Sequence, residues 1–221
     1  PVVRAARAEG VGLAPHRNGL SASLGAGTPL LVRTLSLRVA ILTTVWAATA
    51  LGAVPLAAHQ VVNSLWSFAA FALDALAIAA QALTGAALGA GSARHARSVG
   101  SKVVMYSTIF SGFLALVFAA GAGIIPRVFT SSQEVIDAMS QPWWILVGMV
   151  IVGGVVFALD GVLLGAGDAA FLRSLTIASV LLGFLPGVLL AHAMGTGLTG
   201  VWCGLAAFIT FRLLGVVWRF Y

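Results

Sequence analysis

Six stretches of the chain, at 29–51, 55–88, 103–125, 142–164, 171–193 and 198–217, carry almost no charge, and the polar residues collect between them. A helix rises about 1.5 Å per residue, so about 20 apolar residues cross the hydrocarbon of a bilayer, where only a self-satisfied backbone is tolerated. The pattern predicts an all-α, polytopic membrane protein, a six-helix transmembrane bundle. The second stretch would extend about 50 Å as a helix, long enough to tilt or to project from the membrane. Pro29, Pro55 and Pro142 stand where a first helical turn has no use for its N–H, and Pro126 closes the third stretch. Pro186 lies inside the fifth, where a missing hydrogen bond predicts a kink.

Composition excludes the soluble alternatives. Of 221 residues, 60% are hydrophobic and only 8% are charged, against about 25% charged in a soluble domain. The formal net charge of +6 raises nucleic acid as a partner. The basic residues stand singly between apolar runs rather than in a patch, so no nucleic acid is expected. Residues 1–28, with Arg4, Arg7, Glu9, Pro15, His16 and Arg17, lack the apolar core of a signal peptide and read as a cytoplasmic linker ahead of a membrane lobe at 29–221. The chain is expected to be a fragment or half-protein. Cys203 is alone, which excludes an intrachain disulfide and a cysteine metal site, and the histidines lack metal-ligand spacing.

Charge does set the topology. The amino-terminal segment, the loop with Arg94, Arg97 and Lys102, the turn before Arg173 and the end with Arg212 and Arg219 fall on one side, and Lys/Arg excess in short loops marks that side as cytoplasmic. Both termini then face inward, and the expected location is the cell (plasma) membrane. The outer side holds 52–54, 126–141 and 195–199. Trp143 and Trp144 at an outer helix end, and Trp218 and Tyr221 at an inner one, read as interface anchors. Glycine pairs spaced by four, such as Gly161 and Gly165 or Gly183 and Gly187, allow close helix packing.

Two acids lie within the apolar stretches. An ionised carboxylate at the bilayer centre costs roughly 2.5–3.5 kcal/mol, so Asp74 and Asp160 each need a reason to be there. One reading is that they bind and release a proton or a sodium ion; the other is a structural ion pair, with Arg33 or Arg38 as partner. Arg33, Arg38 and Arg212 lie close enough to the inner helix ends to snorkel. Gln60, Asn63 and Gln81, on the same stretch as Asp74, are candidates to line a cleft. His59 reads either as part of its mouth or as a solvated helix end. The run Gly165-Ala166-Gly167-Asp168 imitates a dinucleotide fingerprint, but it follows an apolar helix rather than a strand and reads as a turn. No nucleophile, base and oxyanion set stands out, so an enzyme is not expected.

Three segments carry a family resemblance. LAAHQVVNSLWSFAAFALDALAIAAQALTGAALGAG at 56–91, IPRVFTSSQEVIDAM at 125–139 and FALDGVLLGAGDAAFLR at 157–173 resemble the multidrug and toxic compound extrusion (MATE) family, especially its DinF-like branch. The resemblance implies one lobe of a twelve-helix transporter whose two six-helix lobes rock about a central cleft, exchanging a proton or sodium ion for an organic cation. It marks Asp160, in FALDG, as the acid tied to cation coupling and Asp74 as a polar feature of a cleft-facing helix. The first stretch departs from many cation-coupled relatives in having Arg33 and Arg38 but no glutamate, and the amino-terminal lobe is missing.

The function expected is secondary active multidrug export by a cation-coupled antiporter, represented by its second lobe. The implied partners are the lipid bilayer, the missing amino-terminal lobe and a small organic, cationic substrate. No cofactor is implied beyond the coupling ion. A lipid or lipid-linked precursor flippase, and a nontransporting membrane assembly subunit in which the acids only pair helices, are the alternatives.

Overall fold

The structure is a computed structural model that describes residues 17–221. The linker reading lies outside the described residues as far as His16; from Arg17 onward the backbone is already helical. The elements are α1 (Arg17–Ala50), α2 (Ala53–Gly89), α3 (Ala93–Ala120), the short α4 (Ile125–Phe129), α5 (Gln133–Gly165), α6 (Ala169–Ser179), α7 (Leu185–Ala193) and α8 (Gly197–Phe220). A widened turn, Val180–Phe184, joins α6 to α7 without a break. Six segments are long and apolar enough to cross a membrane: Leu30–Ala50, Ala53–Gly89, Ala93–Ala120, Gln133–Gly165, Ala169–Ala193 and Gly197–Phe220. Among the described residues there is no strand. The protein is an all-helical, multi-pass membrane protein.

Proline placement differs from the sequence reading in three places. Pro29 falls within α1 and Pro142 within α5, because the polar turns ahead of them are helical too. In α5 the added turns are supported by an (i, i+4) bond in which Gln133 Nε2 donates to Asp137 Oδ1 at 2.8 Å. Pro126 opens α4 rather than closing the third helix, which stops at Ala120. Ahead of Pro186 the helix does not simply kink. It widens into a π turn in which the Leu185 N–H reaches the Val180 carbonyl, five residues back, just before the position that has no N–H to offer.

The core forms around α5, which packs on α2, α3 and α8, while α1 lies chiefly against α6. Leu146, Val150 and Leu159 of α5 are fully buried, as are Phe184 and Trp202 opposite them in the second half of the bundle. Backbones meet where side chains are absent. A methyl group added to Gly161 would run into the main chain of Ala77 on α2, and one added to Gly187 would meet Gly204 of α8. The Gly165-to-Asp168 run is the turn between α5 and α6, with Gly167 at φ +82°.

Trp143 is not an interface anchor. It is buried, and its Nε1 donates to the Phe118 carbonyl at 3.1 Å, tying the amino-terminal half of α5 to the end of α3. An indole needs a partner when buried, and the frayed carbonyls at a helix end supply one. Trp144, Trp218 and Tyr221 are exposed, in keeping with a place at the interface.

Candidate functional site

The two intramembrane acids occupy opposite environments. Asp160, near the carboxy-terminal end of α5, is buried, and one of its oxygens collects two guanidinium groups. Arg33 Nη2 of α1 donates to Oδ2 at 2.8 Å. Arg212 Nη2 of α8 donates to the same oxygen. Arg212 has a second tie, from Nη1 to Thr176 Oγ1 of α6 at 2.6 Å, and its guanidinium lies 5.8 Å from the centre of the Phe208 ring. Four helices are joined through one carboxylate. Asp160 Oδ1 and Arg33 Nε are buried with no partner among the described residues.

The two arginines differ in freedom. The Arg212 side chain is 3% exposed, whereas that of Arg33 is 22% exposed at the edge of a small cleft. The expectation that Arg212 snorkels is therefore wrong. A buried acid leaves its neighbourhood short of positive charge, and Arg212 turns inward to meet it rather than outward to water. Arg38 does stay exposed and makes no hydrogen bond or ion pair among the described residues.

Asp74 is exposed and makes no hydrogen bond or ion pair among the described residues. The helical repeat explains its position. Gln60, Asn63, Ser67, Phe71, Asp74, Ile78 and Gln81 fall on one face of α2, while Val62, Leu65, Ala69, Leu73, Ala77 and Ala80 bury the opposite face. Of the polar members, Gln60, Asp74 and Gln81 are exposed and Asn63 is half-buried. The candidate cleft residues thus form one stripe turned away from the core of the bundle. Near its inner end Asp74, Ile78 and Gln81 share the small cleft with Arg33, Phe157 and Asp160.

His59 does not belong to that stripe. It is fully buried against Trp202 of α8, with ring centres 5.8 Å apart, so it is neither a solvated helix end nor part of a cavity mouth. One further ion pair closes the inner end of the bundle, where Arg219 Nε meets Asp168 Oδ2 at 2.7 Å and the guanidinium lies 5.4 Å from the centre of the Phe171 ring. Among the described residues no group of His, Cys, Asp or Glu is arranged to hold a metal ion.

Arg212 and Thr176 are the site residues that the sequence reading missed. A signal for Arg212 was present: a deep acid on an inner half-helix calls for a base at matching depth, and Arg212 stands among Phe211, Leu213 and Leu214 with no polar neighbour to explain it. Thr176 gave no signal, since a threonine in a helix satisfies itself on its own backbone, as this one also does with the Leu172 carbonyl at 2.8 Å.

The MatE family matches residues 29–189. The chain belongs to the MatE family. Members of this family are transporters rather than enzymes, and this assignment fits the six apolar helices. Among curated proteins the chain is 30% identical over 197 residues to protein DETOXIFICATION 44, chloroplastic, of Arabidopsis thaliana, covering 89% of this chain and 37% of that protein. It is 29% identical over 158 residues to multidrug and toxin extrusion protein 2 of Mus musculus, covering 71% of this chain and 28% of that protein. The chain therefore spans between about a quarter and little more than a third of the length of the curated relatives it matches. Among solved structures, a MOP superfamily transporter from Pyrococcus furiosus superposes with a TM-score of 0.79 at 15% identity, over 88% of this chain and 43% of that one. For that transporter, a binding pocket of reverse polarity suggests a different function. The likeness establishes the fold.

Proposed function

We propose that this MatE-family chain is the second lobe of a secondary active exporter, which works with an amino-terminal lobe to exchange a proton or a sodium ion for a small organic cation. The observation that carries this reading is the polar face of α2. Polar groups at membrane depth belong against water or protein rather than lipid, yet Gln60, Asn63, Asp74 and Gln81 point away from the core of their own lobe. A water-filled cleft against a second lobe suits that face. The relatives named for detoxification and for multidrug and toxin extrusion support export as the direction of transport. The distribution of Lys and Arg supports cytoplasmic termini, and a plasma membrane is the location proposed.

Within this reading we assign cation exchange to Asp74. Its carboxylate faces the cleft and has no cationic partner among the described residues, whereas Asp160 already holds two guanidinium groups through one oxygen. Asp160 takes part in coupling by holding Arg33 rather than by meeting the ion itself. A cation that binds one arrangement of the lobes better than the other shifts the population between them, which is what coupling requires.

The test is efflux of ethidium, a fluorescent organic cation, from proteoliposomes holding this chain joined to its upstream coding segment. Imposed proton or sodium gradients are expected to drive efflux, and Asp74→Asn to reduce it at least tenfold. Undiminished efflux from a folded Asp74→Asn protein would remove Asp74 from the mechanism. Absence of efflux from the folded wild type under both gradients would remove the exporter reading.

A further inference from the structure

We propose that Arg33 is a built-in competitor of the exchanged cation: it alternates between Asp160 and Asp74, and so sets how tightly a cation is held in the cleft. The inference rests on the exporter reading above and adds a residue that sets cation affinity.

The geometry supplies both ends of the swing. Asp160 immediately precedes Gly161, the residue whose missing side chain lets α5 touch α2 at Ala77, and Asp74 stands one turn before Ala77. The two carboxylates therefore flank a single helix contact. Arg33 lines the cleft at that contact together with both acids. It reaches Asp160 through a single hydrogen bond, it is the more exposed of the two arginines, and its Nε has no partner among the described residues. Arg33 is also carried by α1, whose membrane-crossing part is the least buried of the six.

Charge balance favours the exchange. The cleft and its border hold two arginines and two aspartates. With Arg33 on Asp160, one carboxylate oxygen carries two guanidinium groups and Asp74 is left unpaired. With Arg33 on Asp74, the same four residues form two neutral pairs, Arg33 with Asp74 and Arg212 with Asp160. Arg212 does not share this freedom, because it is buried and held a second time by Thr176. A cation arriving at Asp74 displaces Arg33 back to Asp160, the arrangement in the structure. At the other end of the swing the arginine occupies the acid that a cation would take, and spares the bundle an unpaired intramembrane charge.

The test is ethidium affinity of the complete transporter in lipid nanodiscs, read from its fluorescence, with melting temperatures recorded to check folding. Arg33→Gln removes the competitor and is expected to tighten ethidium binding about tenfold, the size of one like-charge contact screened nearly as in water. Arg33→Lys keeps the charge and is expected to bind near the wild-type level. In an Asp74→Asn background Arg33→Gln is expected to give no tightening, an interaction that a purely structural arginine would not produce. If Asp74→Asn weakens binding but Arg33→Gln does not tighten it, the competition is overturned and the exporter reading stands. If Asp74→Asn binds ethidium as the wild type does, the assignment of the cation to Asp74 fails first. Loss of the fold in both Arg33→Gln and Arg33→Met would also overturn the proposal, because the swing requires the Arg212–Asp160 pair to hold without Arg33.

Discussion

Asp74 and Asp160 are the same residue type on two helices that touch, yet the bundle handles them in opposite ways. On the α5 side Asp160 is buried and is accompanied by Arg33, Arg212 and, through Arg212, Thr176. On the outer face of α2 nothing packs over Asp74, and no described residue pairs with it. A buried carboxylate must bring its counter-charges with it, whereas one that faces a cleft can leave the position open to exchange. Depth in the membrane marks both acids as expensive; only the packing separates the acid held by counter-charges from the one left open.

The contrast breaks most directly by truncation. Asp160→Ala strands two guanidinium groups, one of them buried, and removing one partner of a buried pair costs about 3–5 kcal/mol. The expected outcome is a large drop in melting temperature, or no folded protein. Asp74→Ala is expected to leave the melting temperature of the detergent-solubilised protein unchanged, as for surface substitutions away from specific contacts. Equal losses for the two would show that Asp74 is structural too, and the distinction between the acids would collapse.

A smaller effect tests whether the contact between the two acids is as tight as the backbones suggest. Gly161→Val places a branched side chain against the Ala77 main chain and is expected to cost about 1–3 kcal/mol by overpacking. Gly89→Ala, with open space around it, is expected to be neutral or slightly stabilising. Melting of the two variants side by side checks the pair, and a stable Gly161→Val would mean that α2 and α5 can part and that the acids are not held in register.

How much of this was legible from the sequence follows from the kind of force involved. The spans are written in long apolar runs because the bilayer imposes them one helix at a time, and all six were readable. Asp74 and Asp160 were readable as well, since charge in an apolar run needs no neighbour to be noticed. What could not be read was anything that required knowing which helices meet. Trp143 and His59 stand near the ends of their apolar runs, where water and interface are the default, and it is α3 and α8 that bury them. Arg212 lies within snorkelling distance of the inner surface by sequence, and only the arrival of α5 beside α8 turns it inward. Pro142 looked like a helix start because the apolar run begins there, whereas hydrogen bonding begins at Gln133.

The smallest expected effect bears on why Arg212 stays fixed while Arg33 is free to move. Thr176 Oγ1 accepts from Arg212 Nη1 at 2.6 Å and donates to the Leu172 carbonyl at 2.8 Å, so the hydroxyl serves as a relay between the guanidinium and the backbone of α6. Thr176→Val keeps the branched shape and removes the relay, leaving one buried guanidinium N–H unmet. A hydrogen bond to a charged group is worth roughly 1.5–3 kcal/mol, and Arg212 keeps its bond to Asp160, so a loss at the lower end of that range is expected, measured as a modest shift in melting temperature. Thr176→Ser keeps the hydroxyl and is expected to recover most of it. If Thr176→Val melted like the wild type, the second tie would be dispensable. Arg212 would then be held by Asp160 alone, as Arg33 is, and the difference in freedom between the two arginines would rest on burial and not on bonding.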